Sequence, residues 1–130
     1  MRYIAVIPSR MESKRLPGKP LKKIGNKSMI QRVYEQSIKC ERFEKVIVAT
    51  DNDEIKKHVE SFGEVVLTSS NPINGTERVS EALNKINISY DYVVNIQGDE
   101  PFIKKNQIDA LLNICNGKNQ ICSLVKKTPY

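Results

Sequence analysis

A three-layer α/β sandwich on a mainly parallel sheet is the fold class this sequence predicts, on three observations. Short apolar runs recur along the chain at Tyr3–Ile7, Lys45–Ala49, Glu64–Thr68, Tyr92–Ile96 and Gln120–Val125. Between them the apolar spacing changes from that of a strand to that of a helix. The 130 residues, 39% of them hydrophobic, suffice for one packed domain and leave little room for two. Strands alternating with helices call for crossover connections, and these make neighbouring strands parallel.

Taken in order, YIAVI at Tyr3–Ile7 is a continuous apolar run halted by Pro8, the pattern of a strand buried on both faces. Ser28 with Gln31 three residues on makes a capping-box start. The helix it opens should carry Ile30, Val33, Tyr34 and Ile38 inward. Asp51 is placed to cap a short helix that buries Ile55 and Val59 before Gly63 ends it. Val79, Ala82, Leu83 and Ile86 fall on one helical face, as do Ile108, Leu111, Leu112 and Cys115, with Gly117 as the stop. There is no internal repeat and no low-complexity segment.

Several classes are excluded. No apolar run approaches the ~20 residues that span a bilayer. MRYIAVIPSR has too short an apolar stretch and no small-residue cleavage site for a signal peptide. Cys40, Cys115 and Cys122 form no C-x-x-C pair, and an odd number cannot all pair internally. Reduced core thiols in a soluble, cytoplasmic protein are therefore expected.

In parallel sheets ligands sit beyond the carboxyl ends of the strands, near a switch in strand order. Three polar segments stand there: the loop from Pro8 to Leu21, Thr50-Asp51, and Gln97 to Pro101. The net charge of +6 is concentrated in the first. Residues 1–27 carry eight Lys or Arg against one acid, which leaves the remainder close to neutral. One basic segment on a neutral body points to an anionic ligand more than to nucleic acid. The loop is neither a Walker loop, since Ser13 and Pro20 stand where Gly and Ser or Thr are required, nor a dinucleotide fingerprint, since it has one glycine and two prolines. It is a long loop with cations at Arg10, Lys14, Arg15 and Lys19, stiffened by Pro17 and Pro20. Rigid cations cost less entropy to organise around a phosphate, and arginine offers it a bidentate fork. The plainer alternative is a solvated basic loop.

At the fourth strand apolar residues run straight into Gly98-Asp99-Glu100-Pro101. A carboxylate held there, facing phosphates, suits Mg²⁺, which takes oxygen ligands and often only one or two carboxylates. By spacing alone Asp99 could equally cap the next helix.

IPSRMESKRLPGKPL, ATDNDEI, NGTERVSEAL and VVNIQGDEPFI, in this order and spanning nearly the whole chain, resemble the N-terminal half of the 3-deoxy-manno-octulosonate cytidylyltransferases, or CMP-Kdo synthetases. The resemblance implies a truncated nucleotide-diphospho-sugar transferase fold. It also implies a reaction of CTP with the acidic sugar Kdo that gives CMP-Kdo and pyrophosphate for lipopolysaccharide precursors. It implies that Pro8, Ser9 and Arg10 lie against the nucleotide and that Arg10, Arg15 and Lys19 bind the triphosphate. Asp99 would bind magnesium, and Arg78 and Gln97 would line the nucleotide and sugar site; Arg10, Lys19 and Asp99 would carry catalysis. Residues 1–130 would be the nucleotide-binding half, and the half that reads the sugar and forms the family's homodimer would be absent, so that the chain binds CTP but turns over little. Pro72 and Asn74 stand where the family usually has His and Ser. In-line attack on the α-phosphorus needs no enzyme nucleophile, and His58 is expected to be a solvated surface residue. No nucleic acid or membrane partner is expected. Two rivals remain: a cytidylyltransferase for another acidic sugar, a nonulosonate or an amino-Kdo, and a non-catalytic polyanion-binding module.

Overall fold

The computed structural model describes residues 3–10, 19–69, 75–86, 90–96, 104–114 and 120–123. Five strands, β1 (Tyr3–Ser9), β4 (Phe43–Thr50), β5 (Glu64–Leu67), β6 (Tyr92–Asn95) and β7 (Gln120–Ser123), form one sheet in the order β5-β4-β1-β6-β7. Every adjacent pair is parallel. A small antiparallel hairpin of β2 (Lys23–Ile24) and β3 (Lys27–Ser28) stands apart from it. Helices α1 (Met29–Ile38), α2 (Asp53–Glu60), α3 (Gly75–Lys85) and α4 (Lys105–Ile114) complete the expected sandwich.

β1 is central because nothing polar interrupts it: Ile4 to Ile7 are fully buried. Its alternate residues divide the core. Tyr3, Ala5 and Ile7 pack with Ile30, Val33 and Tyr34 of α1, Ile55 and Val59 of α2 and Ile108 of α4. Ile4 and Val6 pack with Val79 and Ala82 of α3 on the other face. The chain steps from β1 to β4 to β5 with its helices on the first face. It returns from β5 to β6 with α3 on the second, so these three crossovers share one hand. The β6–α4–β7 step keeps the returning direction but places α4 beside α1, where Cys40 donates to Asp109 at 3.4 Å. Its hand is the opposite one.

Four local expectations change. β1 runs through Pro8 to Ser9. Ile96 N–H donates to the Val6 carbonyl at 3.0 Å, so Pro8, two residues on, turns its missing N–H to the same side. Pairing with β6 has already ended there, at Val6↔Asn95. Ile38 is 50% exposed rather than inward; Ser37 takes the buried position and donates its hydroxyl to the Val33 carbonyl at 2.8 Å. The cap of α2 is Asn52, whose Oδ1 accepts from Ile55 N–H at 3.0 Å, and not Asp51. The hairpin was not anticipated; Gly25 takes φ +73° at its turn, a region open to glycine.

Elsewhere Ser28 caps α1 as expected, accepting from Gln31 N–H at 3.2 Å. Cys40 is buried and is in no disulfide among the described residues. The side chains of Leu111, Leu112, Cys115 and Cys122, and the strand positions after Ser123, lie outside the described residues. Among the described residues no helix is long and apolar enough to cross a membrane.

Candidate functional site

The strand order reverses at β1: the first crossover leaves toward β4, and the return connection brings β6 to its other side. The crevice outside the carboxyl ends of β1 and β6 is where such a sheet receives a ligand. β1 delivers Pro8, Ser9 and Arg10 to that edge, β4 delivers Thr50 and Asp51, and β6 delivers Asn95 and Ile96. β5 adds Thr68 and Ser69, a fourth polar end beside the three expected ones.

The structure places the predicted residues unequally. Pro8 is half-buried, Ser9 is buried and Arg10 is exposed, as a strand end passing into solvent requires. Lys19 opens a short 3-10 turn, Lys19–Leu21, whose Pro20 is buried and whose Leu21 packs against the α1 side of the core. The far end of the basic loop is thereby returned to the domain. Arg15, Gln97 and Asp99 lie outside the described residues, as do Pro72 and Asn74.

Arg78 is at neither a surface nor a strand end. It is 1% exposed on the first turns of α3 and reaches across to β5 and β4. Its Nη1 donates to Thr68 Oγ1 at 2.7 Å and to the Ser69 carbonyl at 3.3 Å, and its Nη2 lies 3.7 Å from Asp51 Oδ2. A buried guanidinium needs such partners, because an uncompensated charge in the interior is costly. Sequence reasoning weighted Thr50-Asp51 as a strand end but missed Thr68 and the use of Asp51 as a counter-ion. The available signal was the polar pair that follows Ala49 and the one that follows Leu67, Thr50-Asp51 and Thr68-Ser69.

Three buried side-chain atoms have no hydrogen-bond partner among the described residues: Ser9 Oγ, Asn95 Oδ1 and Arg78 Nε. Folded proteins leave few such groups. Ser9 alternates with Ile7 onto the α1 face of the sheet, whereas Asn95 alternates with Val93 onto the face that carries α3 and Arg78, so the three atoms are distributed over both sides of the sheet.

Around this edge Ser69 donates its N–H and its hydroxyl to the Glu81 carboxylate at 2.5 and 2.6 Å. Those two bonds, and nearby Lys85, hold Glu81 below the usual carboxylate value. His58 is not the solvated residue expected. It is half-buried, its Nε2 lies 2.6 Å from Ser28 Oγ and its ring meets Phe62 edge-on. Burial first, and the charge of Lys23 second, lower its pKa. Among the described residues no three His, Cys, Asp or Glu side chains gather as a metal cluster.

The chain is similar to several characterised proteins. It is 48% identical over 128 residues to the 3-deoxy-manno-octulosonate cytidylyltransferase of Parabacteroides distasonis, covering 97% of this chain and 50% of the relative. To the enzyme of the same name from Cytophaga hutchinsonii it is 44% identical over 125 residues, covering 95% of this chain and 50% of the relative. A CMP:2-keto-3-deoxy-manno-octonic acid synthetase solved in complex with CTP superposes with TM-score 0.82 at 38% identity, over 87% of this chain and 46% of that one. The chain thus spans about half the length of the curated relatives it matches. The family model for cytidylyltransferases matches residues 4–129. With that match on an all-parallel sheet of the expected α/β class, the chain belongs to the cytidylyltransferase family.

Proposed function

We propose that the chain forms the CTP-binding half of an enzyme that transfers CMP from CTP to 3-deoxy-manno-octulosonate and releases pyrophosphate, a step toward lipopolysaccharide precursors. The observation that carries this reading is the likeness, at TM-score 0.82, to a CMP-sugar synthetase that was solved with CTP. The carboxyl edge supports it: the basic segment begins at Arg10, where β1 ends, and its far end, Lys19, opens the turn that packs Leu21 against the core.

In this reading the sugar's anomeric hydroxyl attacks the α-phosphorus in line and pyrophosphate leaves. The backbone of Pro8, Ser9 and Arg10 meets the nucleotide at the end of the central strand. Arg10, Arg15 and Lys19 bind the triphosphate. Cations at these positions stabilise the charge that builds on the α-phosphate and on the leaving group. Gln97 lines the same crevice from the β6 side.

In this reading Asp99, in the segment that follows β6, would hold a magnesium ion. Asp99 offers hard carboxylate oxygen a few residues beyond the switch point, the ligand type magnesium takes together with substrate phosphates. When bound, the ion supplies charge neutralisation at the phosphate oxygens.

Thermal unfolding with CTP, UTP, ATP or GTP, each with Mg²⁺, tests the reading. A ligand at ~100 times its dissociation constant adds about 2.7 kcal/mol, a rise of several degrees in a domain of this size. A CTP-selective, metal-dependent rise is expected. No rise with any nucleotide, in a chain shown by circular dichroism to be folded, would overturn the proposal.

A further inference from the structure

Three side chains of α3, spaced along one face, hold the end of β5. Arg78 bonds Thr68 Oγ1 and the Ser69 carbonyl. Glu81 receives the N–H and hydroxyl of Ser69. Lys85 donates to the Leu67 carbonyl at 2.7 Å and lies 3.6 Å from Glu81. Asp51, at the end of β4, faces the same guanidinium from the other side. The Thr68 N–H donates to the Thr50 carbonyl at 2.7 Å, which ties the two strand ends directly. The ends of β4 and β5 are thus cross-linked to each other and to α3.

We infer that this clasp is a positioning device for the nucleotide site: Arg78, Thr68, Glu81 and Asp51 set the ends of β4 and β5, the first of which pairs with Ser9 of β1 at Thr50, and Arg78 serves the site through them rather than by touching the nucleotide. The geometry favours this over direct contact. Two of the guanidinium's three nitrogens face protein groups, the residue is 1% exposed, and its partners sit on three different elements. A guanidinium held in a fork on several partners has little freedom left to follow a ligand. The inference rests on the proposed CTP-binding role and assigns these residues a part in it.

The test is a double-mutant cycle read in CTP affinity. Thr68→Val, Glu81→Gln, Arg78→Met and the Thr68→Val/Arg78→Met pair are compared with the parent chain. Titration calorimetry with CTP and Mg²⁺ is run at a temperature where circular dichroism shows each variant folded. A purely structural clasp would leave the affinity of folded protein unchanged. A positioning clasp should weaken it roughly five- to tenfold in Thr68→Val and in Glu81→Gln, with the paired variant no weaker than Arg78→Met alone, because contacting residues couple. Parent-like affinity in both Thr68→Val and Glu81→Gln would overturn the inference, and so would multiplicative losses in the pair. Should Arg78→Met fail to fold, Thr68→Val combined with Glu81→Gln supplies the cycle. Failure of the parent chain to bind CTP would refute the proposed function and, with it, this positioning role. The unfolding midpoints would then still report on the clasp, since additive falls in Thr68→Val and Arg78→Met would show that it does not act as a unit.

Discussion

The imidazole of His58 lies between the cap of α1 and the end of α2, and its environment makes the fold sensitive to acid. Ser28 Oγ accepts from Gln31 N–H and shares a hydrogen bond with His58 Nε2. Burial and Lys23 both disfavour the charged form, so the folded pKa lies below the ordinary 6.5. The unfolded chain therefore takes up a proton first, and this share of stability is present above pH 6.5 and is lost as pH falls through that value toward the folded one. Thermal midpoints should fall between pH 7.5 and about 5.5, and His58→Gln should flatten that slope; equal slopes in the two proteins would refute the assignment. Glu35 acts in a lower window. Its hydrogen bond to Lys27 holds it below the usual 4.5, so its contribution fades only as pH drops past that value. Close packing sets a second limit at Gly63, where an added Cβ would collide with the Tyr34 ring at Cζ. The Tyr34 ring is buried, and its hydroxyl accepts from Glu64 N–H at 3.2 Å. Gly63→Ala should cost about 1–3 kcal/mol in urea unfolding, and an unchanged midpoint would show that the ring can yield.

At the scale of elements, α2 depends on its cap. It has eight residues and only Ile55 and Val59 buried, so the bond from Ile55 N–H to Asn52 is a large share of what holds its first turn. Asn52→Ala should lower stability by about 1 kcal/mol without changing the denaturant slope; an effect within error would place the helix's stability in packing alone. The neighbouring Asp51 was the cap expected from sequence, and either residue type can cap. What decides between them is Arg78, some 27 positions further on and buried against the Asp51 carboxylate. The phase of α1 was similarly half-readable. Ile30, Val33 and Tyr34 lie on the buried stripe as the spacing required. The next buried place fell to Ser37, which satisfies its hydroxyl on its own helix, and left Ile38 in solvent.

For the whole molecule, the ends of β1 and β6, from which the basic and acidic segments continue, lie side by side because the strand order reverses at β1. Asp99→Asn should leave the nucleotide-free melting temperature unchanged, because the substitution keeps size and loses only charge, while removing most of the magnesium-dependent part of the CTP-induced rise. A variant that kept the full metal-dependent rise would exclude Asp99 as the ion's holder. The sequence by itself determined the strand positions, the parallel class of the sheet, the cap at Ser28, and the placement of Pro8, Ser9 and Arg10 at a strand's carboxyl end. These follow from apolar periodicity and from residues close in the chain. Only the tertiary structure decided that Arg78 is buried, that Thr68 and Asp51 are its partners, that His58 caps a contact instead of facing water, and that α4 returns to the face of α1. Each of these joins residues far apart in sequence whose types are polar or ambiguous. Local spacing carries no information about which buried charge will find which counter-charge once the sheet has assembled.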